Sequence, residues 1–192
     1  MDAAPAHPVR VGELAPSHRG RVAEILGATR IFRDDEIDVA LELFDECFPP
    51  RGGRHPRSEP VPPTGSTYAF LGAFTPEEEL VGYACYGPTP ETDRTWDLYW
   101  IATDPRTHGA GGGTRLLTEV ERRLEGLNAR MLVVETSSRS EYALTRAFYE
   151  RRGYAEAARV REFYAPGDDR IIYVKRFNRT PGSPMGRGAV QQ

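Results

Sequence analysis

Ile101–Leu117 reads IATDPRTHGAGGGTRLL. A β-rich run, Thr95 to Thr103, enters it, and Asp104-Pro105 makes a turn. Gly109, Gly111, Gly112 and Gly113 follow, and from about Gly113 to Leu127 the chain is helical in pattern. Leu116, Leu117, Val120, Leu124 and Leu127 recur on one helical face. Glycine tolerates positive φ and lets a ligand approach the backbone. A helix start offers unpaired N–H groups and the positive end of its dipole. Strand, glycine turn and helix together make an anion site suited to a diphosphate, to which Thr114 can add a hydroxyl. The bland alternative is a flexible loop before a helix. A nicotinamide-type dinucleotide fold fits poorly, because that fingerprint opens a chain's first strand–helix unit and this segment lies mid-chain. A Walker loop is excluded, since no GK[ST] is present.

Working outward, Arg10 to Leu14 reads as a first strand, and Pro16 to Arg30 and Asp34 to Phe48 as helices. Ile37, Ala40, Leu41 and Phe44 define one face of the second helix, and Asp34 is its expected N-cap. Pro49 to Ser66 is rich in Pro, Gly and Arg and reads as a long loop. Thr67 to Phe74 and Leu80 to Gly87 read as a hairpin leading to Thr95–Thr103. After the glycine segment come a strand (Arg130 to Thr136), a helix (Glu141 to Arg152) stopped by Gly153, and two strands (Tyr154 to Tyr164, Arg170 to Phe177) joined by a turn at Ala165–Asp169. This order predicts an α/β (α+β) domain over 9–177, with a mixed, mostly antiparallel sheet flanked by helices. Residues 1–8 and 178–192 read as a disordered start and a tail.

The 192 residues carry a net charge of -3, which argues against broad nucleic-acid binding. No apolar run approaches the ~20 residues of a membrane span, and no secretory pattern opens the chain, so a cytoplasmic location is expected. Cys47 and Cys85 form no CxxC pair and read as small buried hydrophobes. No cluster has zinc-ligand spacing, so no metal is expected. Lys175 is the only lysine.

Two stretches carry a resemblance to a known family. DPRTHGAGGGTRLL resembles the acyl-CoA-binding motif of the GNAT (GCN5-related N-acetyltransferase) superfamily, roughly [QR]-x-x-G-x-[GA] between a strand and a helix. Gly109, Gly111 and Gly113 fall on its glycine positions, and His108 stands where Gln or Arg is usual. Arg146-Ala-Phe-Tyr149-Glu-Arg-Arg-Gly153-Tyr154 resembles the family's helix ending in [LF]-Y-x-x-x-G-[FY]. The resemblance implies a GNAT-type sheet and acetyl-CoA as co-substrate. It also implies that the backbone of Ile101, Ala102 and Thr103 pairs with the pantetheine arm. The amides of His108, Gly109, Ala110, Gly111, Gly112, Gly113 and Thr114 would then bind the pyrophosphate. Tyr149 is then the acid that protonates the leaving thiolate.

For the general base, Asp97 is the first candidate, expected to share one strand face with Tyr99, Ile101 and Thr103. Glu135, on the next strand, is the second. Tyr86, Trp96, Tyr99 and Trp100 are expected to pack the sheet, with one or two reaching an acceptor pocket. Asp45 and Glu46 belong to a solvated helix face or attract a cationic amine. The implied acceptor is a small-molecule or peptide amine, and dimers are common in the family, so a second copy is a candidate partner. A non-catalytic acyl-CoA-binding module on the same fold is the alternative, and an interaction domain that binds no nucleotide is a third reading.

Overall fold

The computed structural model describes residues 9–48, 68–107 and 109–177. The regions expected to be a disordered start (1–8), a tail (178–192) and a long loop (49–66) lie outside the described residues. Helices α1 (Arg19–Thr29) and α2 (Asp34–Cys47) follow strand β1 (Arg10–Glu13) and a 3-10 turn. Strands β2 (Ala69–Phe74), β3 (Leu80–Pro88) and β4 (Thr95–Thr103) come next, then α3 (Gly112–Gly126), β5 (Met131–Ser137), α4 (Ala143–Glu150), β6 (Ala155–Ala165) and β7 (Asp168–Arg176). The strands form one sheet in the order β1-β2-β3-β4-β5-β7-β6. Only β4 and β5 pair in parallel, linked by α3; every other neighbour pair is antiparallel. The expected order of elements and the mixed, mostly antiparallel sheet are both present.

Each sheet face buries its own apolar cluster. Leu116, Leu117, Val120 and Leu124 of α3, with Tyr149 of α4, pack on Val81, Leu98, Leu132 and Val134. Val22, Ile25 and Leu26 of α1 and Ala40, Leu41 and Phe44 of α2 pack on Phe70, Tyr83, Cys85 and Ala102 from the opposite face. Burial raises the Cys85 thiol well above its usual range, so it stays a protonated core residue. Cys47 is only half-buried, with its sulfur 3.2 Å from the Tyr68 carbonyl oxygen.

The start of α2 differs from expectation. Asp34 is already helical and Arg33 is the N-cap. Glu36 serves that end by accepting from the Arg33 backbone N–H at 2.8 Å, a reach-back that satisfies an otherwise open donor. Asp45 accepts two hydrogen bonds from Arg19, at 2.6 and 2.8 Å, and ties α2 to α1 on the surface.

At the end of β4, Asp104 is a buried carboxylate. It accepts from the Arg106 guanidinium (2.7 Å), from the Arg106 backbone N–H (2.9 Å) and from Arg21 on α1. These bonds, Arg106 first, hold its carboxyl far below the usual range. On α3, Arg122 and then Arg123 hold Glu119 at about 2. Carboxyls depressed in the fold add stability above their unfolded value near ~4 and lose it as pH falls through the folded value. Stability should therefore decline from about pH 4 downward. Asp104→Ala should cost ~2 kcal/mol at pH 7, because it leaves the largely buried Arg21 guanidinium without one of its carboxylate partners, while Arg106 is exposed to water. Urea melts at pH 7 and pH 3 check both; a pH-independent stability would overturn the assignment.

Candidate active site

Asp104 fixes the turn that carries the chain from β4 to α3. A 3-10 turn, Pro105–Thr107, precedes Gly109 (φ 90°) and Gly111 (φ 80°), and Gly111 is the N-cap of α3. The Arg115 N–H donates to the Gly111 carbonyl at 3.0 Å and closes the first turn. By helical geometry the amides of Gly112, Gly113 and Thr114 then lack an intrahelical acceptor. No acidic residue occupies this first turn. A Cβ on Gly112 or Gly113 would meet only ordinary contacts, at 3.6 Å or more from Thr103 and Phe148. Among the described residues nothing demands glycine at these two helical positions, where it costs about 1 kcal/mol relative to alanine. Glycine there leaves the open amides of the first turn uncovered by side chains. His108 lies outside the described residues.

A cation that sequence reading missed sits at this helix start. Arg152 donates to the Thr114 hydroxyl and, through Nη1, to the Phe148 carbonyl at 3.0 Å. Its guanidinium lies 3.7 Å from the centre of the Phe148 ring. Burial and the adjacent Arg151 lower its pKa, and among the described residues it forms no ion pair. The signal was the Arg151-Arg152 doublet just before Gly153.

Beside the cradle the sheet opens. β4 pairs with β5 only through Thr95–Leu98 against Met131–Val134. Beyond that, Glu135, Thr136 and Ser137 pair with Ile172, Ile171 and Arg170 of β7. The β5-side edge of Tyr99–Thr103 therefore has no strand partner among the described residues, and its peptide groups are open to a ligand. The pairing of β4 with β3 also steps from Trp100↔Cys85 to Leu98↔Tyr86, which leaves Tyr99 as a bulge. A one-residue bulge reverses which face the side chains take. Trp96 and Leu98 pack with Ile101 in the α3 cluster, whereas Trp100 and Ala102 pack in the α1/α2 cluster. Asp97 therefore does not share a face with Ile101 and Thr103, as strict alternation had implied.

A cavity of about 400 Å³ fills the split. Ile101, Ala102, Thr103, Gly113, Phe148 and Tyr149 line it toward α3 and α4. Phe32, Glu36, Tyr99, Trp100, Glu135, Arg139, Tyr142, Tyr164 and Asp168 line the remainder. Tyr99 and Trp100 thus do reach the cavity, while Asp45 and Glu46 are not among its lining residues.

Tyr149 is 3% exposed, its ring packed 5.3 Å from Phe148, 5.4 Å from Tyr154 and 6.2 Å from Tyr173. Phe148 is the more exposed of the adjacent pair. Burial alone pushes the Tyr149 phenol up, and no described residue hydrogen-bonds its hydroxyl. Glu135 lines the cavity and accepts from Arg170. Asp97 is half-buried, accepts from the Thr89 hydroxyl at 2.7 Å, and is raised chiefly by burial and also by Glu135. Burial, and then Asp97, push the Tyr99 phenol up to about 12. Of these two carboxylates, only Glu135 is at the cavity wall. Sequence reading also missed Asp168, which is buried at the head of β7. Its Oδ1 accepts from Ser137 Oγ at 2.5 Å, and Arg139 Nε stands 3.6 Å from its Oδ2.

The fold has known counterparts. The Acetyltransferase (GNAT) family pattern matches residues 37–154. The chain belongs to this family. A protein from Desulfovibrio desulfuricans assigned to the GNAT acetyltransferases is 38% identical, with 88% of this chain and 98% of that one covered and a TM-score of 0.74. The ribosomal-protein-S18-alanine N-acetyltransferase of Escherichia coli shares the fold at 18% identity (94% and 98% covered, TM-score 0.67). The PaiA N-acetyltransferase of Thermoplasma acidophilum, solved with coenzyme A, does so at 14% identity (88% and 99% covered, TM-score 0.62). No curated protein matches the chain by sequence. No described helix is long and apolar enough to cross a membrane, and the described residues hold no His/Cys/Asp/Glu group of metal-binding size.

Proposed function

We propose that this GNAT-family chain transfers an acetyl group from acetyl-CoA to a primary amine. The observation that carries the proposal is the bare, glycine-capped start of α3 opening directly onto the β4–β5 split, with Tyr149 in its wall. Acetyl-CoA supplies an acyl group on a good leaving sulfur. The amides of Gly112, Gly113 and Thr114, with Arg152, hold its pyrophosphate. The open edge of β4 from Ile101 to Thr103 pairs with the amides of the pantetheine arm. Glu135 draws the proton from the acceptor amine, directly or through water, and Asp97 is the second carboxylate within its influence. As the C–N bond forms and the C–S bond breaks, Tyr149 Oη gives its proton to sulfur. Its phenol is recharged from solvent, so the proton lost by the amine balances the one gained by the thiol.

Calorimetric titration with acetyl-CoA, followed by a thiol-release assay with an amine, tests this reading. Saturable binding and amine-dependent thiol release are expected. Arg152→Ala should raise the KM for acetyl-CoA about tenfold with kcat within twofold, since the guanidinium touches the carrier and not the reacting atoms. Binding without any turnover would favour the non-catalytic acyl-CoA-binding module. No binding by the folded protein would refute the acyltransferase reading.

A further inference from the structure

We infer that the acceptor is a small diamine or polyamine whose second ammonium group docks among Glu36, Glu141 and Asp168 beside the rings of Tyr142 and Tyr164. The inference rests on the acetyltransferase reading and names the substrate class of the same site. Three observations support it.

The first is charge. The cavity wall carries four carboxylates, those of Glu36, Glu135, Glu141 and Asp168, against two guanidiniums, those of Arg33 and Arg139. Both guanidiniums are already committed. Arg33 Nε donates to Asp35 at 3.0 Å and stands 4.0 Å from Glu36, and Arg139 stands 3.6 Å from Asp168, so Glu36 and Asp168 share these cations and the excess negative charge lies on Glu141. Glu135 is held by Arg170, whereas Glu141 accepts from the Ser140 hydroxyl at 2.9 Å and forms no ion pair among the described residues. An anionic acceptor would meet excess negative charge, whereas a second cation would offset it.

The second is convergence. Glu36, Glu135 and Asp168 come from α2, β5 and β7, yet all three act on the Tyr164 ring. The Tyr164 phenol is pushed up by burial and then by Glu135, with Asp168 and Glu36 adding to this against Arg170. That of Tyr142 is pushed up by burial and then by Glu36, against Arg139, whose guanidinium lies 5.4 Å from the ring centre. Acidic groups around the exposed Tyr164 ring suit an alkylammonium ion, which gains from both.

The third is an unfilled donor and acceptor in the same wall. The Thr136 hydroxyl is 4% exposed, lines the cavity and has no hydrogen-bond partner among the described residues. It can receive one N–H of an ammonium group that no described residue supplies.

The experiment compares 1,5-diaminopentane, pentylamine, 5-aminopentanoate and a short peptide with a free N-terminal alanine as acceptors in the thiol-release assay. The diamine is expected to exceed pentylamine in kcat/KM by tenfold or more, and 5-aminopentanoate by more still. That advantage should shrink at 0.5 M NaCl. Asp168→Asn should reduce the diamine-to-pentylamine ratio about tenfold. Glu141→Gln, at an exposed position, should reduce it about threefold, which covers the case in which the Asp168 variant fails to fold. Equal use of diamine and pentylamine, or preference for the aminopentanoate or the peptide, overturns the inference. If no acceptor is turned over, titrating the diamine and pentylamine into the protein with coenzyme A reads the same preference as a ratio of Kd values. Failure of acetyl-CoA itself to bind marks failure of the underlying reading instead.

Discussion

Tyr149→Phe is expected to lower kcat by about 10²- to 10³-fold, with the KM for acetyl-CoA changed less than threefold. The substitution removes one oxygen and leaves the ring. The ring's neighbours, Phe148, Tyr154 and Tyr173, stay in contact, so the thermal midpoint should move by no more than a few degrees. The hydroxyl is the only group lost, and no described residue bonds to it, so no internal partner is stranded. Burial keeps the phenol protonated at neutral pH. A poor acid in water becomes a workable one here, because a thiolate formed in the same desolvated pocket has its own pKa raised for the same reason. The proton is therefore retained until sulfur needs it. The check is steady-state kinetics by thiol release for both proteins, with circular dichroism to confirm the fold. A loss of less than threefold would falsify the role of Tyr149 as acid and leave it a packing residue.

The order of elements, the glycine turn that starts α3 and the place of Tyr149 near the end of α4 were legible because each is written locally. Apolar spacing marks α3, the glycines mark its start, and the Phe148-Tyr149…Gly153 string marks the end of α4. The features that escaped depend on pairing between distant segments. The Tyr99 bulge exists only as a register step against Cys85 and Tyr86, and nothing in Thr95–Thr103 itself announces it. Asp168 and Ser137 are 31 residues apart and meet because β7 runs antiparallel to β5. Phe32 enters the cavity from the α1–α2 connection and Glu36 from the first turn of α2, and their place over the split is set by packing of the whole α1/α2 layer. Asp97 shows the cost of arguing from alternation alone. Its strand was assigned correctly, but one unpaired residue turned its face away from Ile101 and Thr103. Glu135 was named as second candidate and stands at the wall, because β5 leaves β4 just where that side chain begins to face the opening.

Gly111→Asp should weaken acetyl-CoA binding at least 100-fold while leaving the protein folded. Gly111 is the N-cap of α3 with φ 80°, and a Cβ there would meet nothing within 4 Å. The strain of a side chain in the left-handed region is about 1–2 kcal/mol, and aspartate is among the residues that best tolerate it. An N-cap carboxylate returns about 1 kcal/mol by accepting from the next free amides, so net stability should change little. Those amides, of Gly113 and Thr114, are the ones assigned to the pyrophosphate. The new carboxylate would therefore occupy the donors and also repel the diphosphate across a few ångströms. Gly111→Asn separates the two effects, since it can compete for the amides without carrying charge, and it should weaken binding about tenfold. Gly111→Ala carries only the backbone strain and sets the baseline. Calorimetric titration of the four proteins with acetyl-CoA reads the series. If all three variants weaken binding equally, strain at φ 80° is the cause and the electrostatic role of the cradle is wrong. If the aspartate variant binds within threefold of the parent, the pyrophosphate lies elsewhere, and the glycines at the start of α3 serve only its turn.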